Sequence, residues 1–304
     1  FAVEDSPEPT EPSMVQAQDS DTGTEEAGEG TDTPEGGSLS EGPETALQTV
    51  SSLEELLQAI EQAEAGATIG IGCEIVCPDG TVLGDTYKRV TLQRTAPEGH
   101  ISTYSPDGTG NVIIQAIDFD GGNVEATTPF VQASISTAYS ECHFSDCTAG
   151  AVEADNGDQN FGYCVFERNT AQYGAHIRMN GGSANLFNCV LGRGTATIRG
   201  GAIACYTDQE VTLEKCSIWE NTAAQHGGAI WNRGKLTITQ STIHNNTANG
   251  EPDDIVNEYS GHLALMDDYD ALVALYATYG LIPNKWAVDT FIDESAERPN
   301  MVFS

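Results

Sequence analysis

Residues Cys216 to Asn232 read CSIWENTAAQHGGAIWN, and the middle of the chain repeats this stretch. Cys142, Cys164, Cys189, Cys216 and Ser241 begin five copies, spaced by 22, 25, 27 and 25 residues. Two places on stand Phe144, Phe166, Leu191, Ile218 and Ile243, always large and apolar. Five places on stand Cys147, Asn169, Gly194, Asn221 and Asn246, each followed by Thr-Ala. Gly-Gly-Ala-Ile recurs at Gly200–Ile203 and Gly227–Ile230. A period in the twenties with glycine corners is one turn of a solenoid. Leucine-rich repeats share that period, but leucine is sparse here. Runs such as Val211-Thr-Leu-Glu and Lys235-Leu-Thr-Ile-Thr alternate with the period of strands. The fold expected is an all-β solenoid, a right-handed parallel β-helix with short capping α-helices at both ends. Like residues would then stack about 4.8 Å apart in ladders, the Phe/Leu/Ile column filling the interior. The Asn column would sit at a sharp turn, because buried amides need partners.

The 304 residues carry a net charge of −34. Residues 1–49 hold 13 acids and no base, leaving 33 acids against all 12 bases, the first of which is Lys88. That balance repels phosphate backbones and anionic headgroups, so nucleic acid is not an expected partner. No apolar run reaches the roughly 18 residues of a membrane helix, so no membrane insertion is expected within this chain. A start at Phe1-Ala-Val-Glu-Asp5 suits a mature, cleaved chain, and an excised fragment would start the same way. An extracellular location follows from class alone.

Residues 1–48 are polar, acidic and rich in Pro and Gly, the composition of a disordered tail or linker. Residues 49–66 read as an N-terminal capping helix. Ser52 and Glu55 form a capping box, Leu53, Leu56, Leu57 and Ile60 make one apolar stripe, and Gly66 is the stop. A solenoid has open ends and needs such caps. Residues 67–258 read as the β-helix, with irregular early coils containing Ile69–Ile71, Val90–Leu92, Val112–Ile114 and Ile117–Phe119. Residues 259–304 read as a helical cap or the start of a further module. There Leu263, Met266, Tyr269, Leu272, Val273 and Tyr276 recur at helical spacing, and Gly280 and Pro283 end the helix. Trp286, Val288, Phe291 and Ile292 add apolar surface that must pack somewhere.

Four of the eight cysteines share one column, where parallel side chains lack the torsion of a disulfide, so a buried thiol ladder is expected. Cys205 aligns with Asn232 in another column. Zinc finds no Cys-x-x-Cys pair. No catalytic constellation emerges. Arg168, Arg178, Arg193, Arg199 and Arg233 fall in different columns, Asp155 and Asp158 lack the second pair a hydrolase needs, and His176 and His226 have no nucleophile beside them. His176 is read as a core residue replacing Ile203 and Ile230 of the later copies. No cofactor is expected; the Asp-rich turns offer weak Ca2+ binding at most. Aromatics are the remaining signal: Trp219 and Trp231 flank inward positions and should point outward, with Tyr163 and Tyr173 in an earlier coil. Outward Trp and Tyr stack on sugar rings or anchor a protein contact.

At these residues the chain resembles the repeats of the polymorphic outer-membrane protein adhesins, which pair Gly-Gly-Ala-[Ile/Leu/Val] with Phe-x-x-Asn. Phe166-Glu-Arg-Asn169 matches the second element, and Ile218-Trp-Glu-Asn221 and Ile243-His-Asn-Asn246 are close variants. The resemblance covers residues 136–257 and implies a pectin-lyase-like coil. No C-terminal barrel follows, so it suggests a β-helix module of a large bacterial surface protein. It implies a non-enzymatic adhesin or stalk that binds a host or dietary glycan, or a protein receptor, along one face. The alternative implied by the fold is a polysaccharide lyase or glycoside hydrolase.

Overall fold

The computed structural model describes residues 47–258, 261–266, 269–281, 285–286, 290–291 and 301–302. The acidic stretch 1–46 lies outside the described residues. From Gln48 onward the chain winds into a parallel β-helix of about nine turns. Each turn lays strands into three long parallel sheets. Sheet I runs from Gln48–Val50 to Thr242–His244, sheet II begins at Glu74–Pro78, and sheet III begins at Val82–Leu83. A shorter sheet IV, from Thr170–Tyr173 to Glu251–Pro252, enters only in the later coils.

Register confirms the columns residue by residue. In sheet I, Phe119, Phe144, Phe166, Leu191, Ile218 and Ile243 are successive partners, all fully buried. The rings of Phe119, Phe144 and Phe166 lie parallel at 4.6 and 4.8 Å. Sheet III contributes Ile114, Tyr139, Phe161, Leu186, Leu213 and Ile238, and sheet II contributes Val131, Val152, Ile177, Ile203, Ile230 and Ile255. The period-two alternation of each strand puts these residues inside and their neighbours outside.

The corners explain the small-residue columns. Glu141, Tyr163, Asn188, Lys215 and Gln240 take left-handed φ between 46° and 57° where sheet III turns into sheet I. Asp146, Arg168, Arg193, Glu220 and Asn245 do the same where sheet I ends. Non-glycine residues are uncommon there, and at most of these corners the residue that follows secures it. Cys142, Cys164, Cys189 and Cys216 point their thiols at the carbonyl two residues back, at 3.4 to 3.5 Å. Ser241 does so with its hydroxyl at 2.9 Å. After the second corner Asn221 and Asn246 use Nδ2 in the same way, at 3.1 and 2.9 Å. The cysteine column is therefore a column of small buried donors. All eight cysteines are free thiols. Burial pushes Cys77, Cys147 and Cys205 up to about 12.

Both ends carry a helix. Helix α1 (Leu53–Gln62) starts on Ser52, whose hydroxyl accepts from the Glu55 N–H at 3.2 Å. Glu55 reaches back to Ser51, accepting from its N–H at 2.8 Å, one residue earlier than a capping box requires. Lys88 donates to the Ile60 and Glu61 carbonyls at 2.6 and 2.9 Å, placing a cation at the negative end of the helix. The β-helix begins before this helix, because Gln48–Val50 already pairs with Ile69–Ile71. The boundary read from composition at residue 48 therefore falls inside the first strand.

The C-terminal reading needs a larger correction. His262–Leu265 is a strand of sheet III, its Leu263 and Leu265 buried against Leu236 and Ile238, so the helical spacing from Gly261 is overridden by a ladder. Helix α2 spans only Tyr269–Thr278, and Gly280 follows in the left-handed region. The side chains of Asp267, Asp268, Asp270, Trp286, Val288, Phe291 and Ile292 lie outside the described residues. Within α2, the buried Tyr276 hydroxyl donates to the Ile243 carbonyl at 2.8 Å and accepts from its N–H at 2.5 Å. Ile243 lies on the last strand of sheet I, so one phenol satisfies backbone groups of an edge. Tyr276→Phe should lower stability by about 1–2 kcal/mol, the cost of buried groups losing a partner. Urea unfolding at unchanged m-value checks this, and a midpoint equal to wild type would refute it.

Candidate functional site

The four aromatics singled out by sequence do not form one face. Tyr163 sits on the corner between sheets III and I, 58 % exposed, its ring edge-on to Phe187 at 5.6 Å. Trp219 lies on the outer face of sheet I, flat over Gly192, where a Cβ would come within 2.9 Å of the indole. The Arg193 guanidinium stacks on it at 4.7 Å and is held by Glu167 and Glu220. Tyr173 and Trp231 do converge, with ring centroids 5.7 Å apart.

Trp231 faces outward from sheet II as alternation requires, but it is only 2 % exposed. The reason is its cover: Tyr206 stands edge-on at 5.2 Å, Tyr173 tilts against it, and Arg199 and Arg233 approach its ring at 5.5 and 5.7 Å. Trp231 is thus a support, and the half-buried Tyr173 and Tyr206 are the accessible rings. Arg178 lies over both, at 5.8 and 5.3 Å, and pairs with Glu153 at 3.5 Å. Arginines that fall in different sequence columns meet here: Arg199 and Arg233 against the indole, and Arg178 over the two tyrosines that cover it. Sequence reasoning missed Tyr206 and Glu153. Tyr206 follows Cys205 in the coil of the longest spacing, 27 residues, and that excess was the available signal.

His176 also needs correcting. Ile177, not His176, pairs with Ile203, so His176 stands in the column of Ala202 and Ala229. It is fully buried all the same, and its role is taken up below.

Beside Tyr173 opens a cleft of about 480 Å3. Thr127 and Pro129 form one wall; Thr148, Thr170 and Thr197 supply hydroxyls; Glu153, Tyr173 and Arg178 close it on the sheet II side. The 126–129 wall is fixed from behind. The buried Arg94 donates to the carbonyls of Gly99, Thr128 and Pro129 at 2.7, 3.1 and 2.8 Å and stacks on Phe130 at 4.9 Å. Thr148 donates to the Val124 carbonyl at 2.6 Å and accepts from the Ala126 N–H at 3.0 Å. Among the described residues Glu153 is the one carboxylate lining this cleft, and it is engaged by Arg178 and by the Asn180 amide at 2.6 Å. A larger groove of about 880 Å3 runs between α2 and sheet I, lined among the described residues by Thr242, His244, Ala274 and Tyr279. Among the described residues no group of three or more His, Cys, Asp or Glu is placed to hold a metal ion. No described helix is long and apolar enough to cross a membrane.

Residues 108–251, just under half of the chain, match the family described as right handed beta helix region. The fold is a right-handed parallel β-helix. The matched segment spans the regular coils of this β-helix, the Tyr173–Tyr206–Trp231 cluster and the 480 Å3 cleft. No curated protein and no solved structure matches the chain.

Proposed function

We propose that this β-helix is a non-enzymatic module of an extracellular bacterial surface protein, an adhesin or stalk, that binds a glycan in the cleft beside Tyr173. The observation that carries the reading is the lining: threonine hydroxyls on one side, and on the other the half-buried Tyr173 ring with Arg178 over it. Hydroxyl donors and acceptors around a cavity edged by an aromatic ring suit a sugar, whose ring stacks while its hydroxyls bond. The supports are rigid, since Trp231 backs the rings and Arg94 holds the opposite wall, and a preformed site loses less entropy on binding. The Gly-Gly-Ala-Ile and Phe-x-x-Asn elements support the surface-protein setting. A glycosidase or lyase reading is weaker, because Glu153 is engaged and, among the described residues, no second carboxylate lines the cleft.

A glycan array followed by calorimetry on the best oligosaccharide tests this. Tyr173→Ala should weaken binding about 10-fold or more, by removing a stacking ring from a desolvated site. Trp231→Phe, which trims only the support, should cost less than Tyr173→Ala. Polysaccharide cleavage abolished by Glu153→Gln would replace this reading with the enzyme reading. Binding unaffected by Tyr173→Ala would remove the cleft from it.

A further inference from the structure

A buried hydrogen-bond chain runs in one direction across the coils. The Cys147 N–H donates to Asn169 Oδ1 at 3.0 Å, and Asn169 Nδ2 meets His176 Nδ1 at 3.0 Å. His176 Nε2 meets Asn221 Oδ1 at 3.1 Å, Asn221 Nδ2 donates to Asn246 Oδ1 at 2.9 Å, and Asn246 Nδ2 to Asp254 Oδ1 at 2.8 Å. The amides at both sides of the imidazole cannot flip. Asn169 Nδ2 also donates to the Phe144 carbonyl, while Asn221 Oδ1 accepts from the Gly194 N–H at 2.7 Å and its Nδ2 donates to the Leu191 carbonyl. The neutral imidazole therefore carries its proton on Nε2 and offers the Nδ1 lone pair to Asn169. Its place exists because the Asn column is interrupted at Gly194, where a Cβ would lie 2.7 Å from His176 Nε2.

We propose that His176 is an acid-sensitive latch: a proton taken up from solvent at Nδ1 sets two donors face to face, breaks the Asn169–His176 joint and loosens the 173–178 segment that lines the cleft. Tyr173 and Arg178 flank the histidine in sequence, so the same short segment carries the latch and the cleft wall. The charged groups around it are engaged elsewhere. Arg168 is tied to Asp146 and Glu167, Arg193 to Glu167 and Glu220, and Arg178 to Glu153. The Cys147 thiol is held neutral by burial, and Asp254 stands two amides away at the end of the chain of bonds. Among the described residues, the side-chain partners of the imidazole are the amides of Asn169 and Asn221, and no carboxylate bonds it directly.

Burial, opposed in part by the bonds to Asn221 and to the Gly192 backbone, lowers the His176 pKa to about 4. A depressed folded-state pKa means that the opened state binds the proton more readily. The joint is at full strength above the ordinary value of about 6.5, weakens progressively as pH falls below it, and the effect levels off below about 4.

The latch needs no ligand, and only its consequence for glycan release rests on the function proposed above. Hydrogen exchange of the full chain, corrected for intrinsic rates, is compared at about pH 7 and pH 4.5, since local opening is what exchange reads. Amides 169–178 and those of Gly194 and Asn221 should lose protection about 10-fold or more in acid. His176→Gln, whose amide can accept and donate in the same sense without titrating, should keep it. Equal acid loss in wild type and His176→Gln overturns the latch, as does full protection of these amides in wild type. Imidazole nitrogen NMR on the wild type decides the matter if the variant does not fold. The Nε2–H tautomer, still neutral at about pH 5.5, is expected; the Nδ1–H tautomer, or titration near the ordinary 6.5, overturns it. Absence of glycan binding at neutral pH would sink the proposed function and leave the latch standing.

Discussion

Asn221→Ala should destabilise the β-helix by about 4 kcal/mol, a large share of the 5–15 kcal/mol that domains have in total. The fully buried Asn221 side chain bonds the Gly194 N–H, the His176 ring, the Leu191 and Trp219 carbonyls and the Asn246 amide. Truncation leaves several of these without a partner, each costing about 1–3 kcal/mol. Asn246 Oδ1 keeps the Asn221 N–H at 2.9 Å, so its loss is partial. The matching control is Asn185→Ala on the outer face of sheet III, where the exposed Asn185 bonds the exposed Asn160 at 3.1 Å. Water replaces that bond, so the change should stay within about 0.5 kcal/mol. Urea unfolding of the two variants side by side is the measurement. Similar costs at the two sites would mean that the buried amide column is not what joins the coils.

Phe144→Ala should cost about 3–5 kcal/mol, the range for removing a buried aromatic ring from a core that cannot close over the space. Phe144 is the middle ring of three parallel ones and also meets Tyr139 edge-on at 6.0 Å. Its neighbours are held at fixed coil spacing by strand pairing above and below, so they cannot collapse inward. Phe144→Leu retains most of the volume and should cost less than about half as much. Later coils carry Leu191, Ile218 and Ile243 at this position, which shows that the column accepts aliphatic side chains. Thermal and urea midpoints for the pair decide: equal losses for Ala and Leu would assign the effect to ring stacking instead of volume.

The repeat made the solenoid legible because stacked coils put like residues in one environment. A Phe/Leu/Ile column, a Cys/Ser column and an Asn column are what an interior and two left-handed corners demand, and these demands are local. Where the period faltered, legibility faltered with it. His262–Leu265 reads as helix by spacing, yet alternation and an open strand edge beside Lys235–Ile238 make it sheet. His176 was misplaced by one residue because its coil has Gly-Ala-His-Ile in place of Gly-Gly-Ala-Ile, and only register settles which residue moved.

The candidate cleft was less legible for a different reason. Alternation gives the direction of Trp231 correctly, but its cover is set mainly by residues distant in sequence: Tyr173, Arg199 and Tyr206 come from elsewhere in the chain, and Arg233 alone of the four is local. The sequence by itself determined the coil, its interior columns and its acidic character, because each depends on a residue's own type and its place in the period. The tertiary structure alone decided which outward side chains meet, that Trp231 supports and Tyr173 is presented, and that Gly194 makes room for His176. Those outcomes depend on winding, which brings residues some 25 positions apart to neighbouring strands, and no local pattern records it.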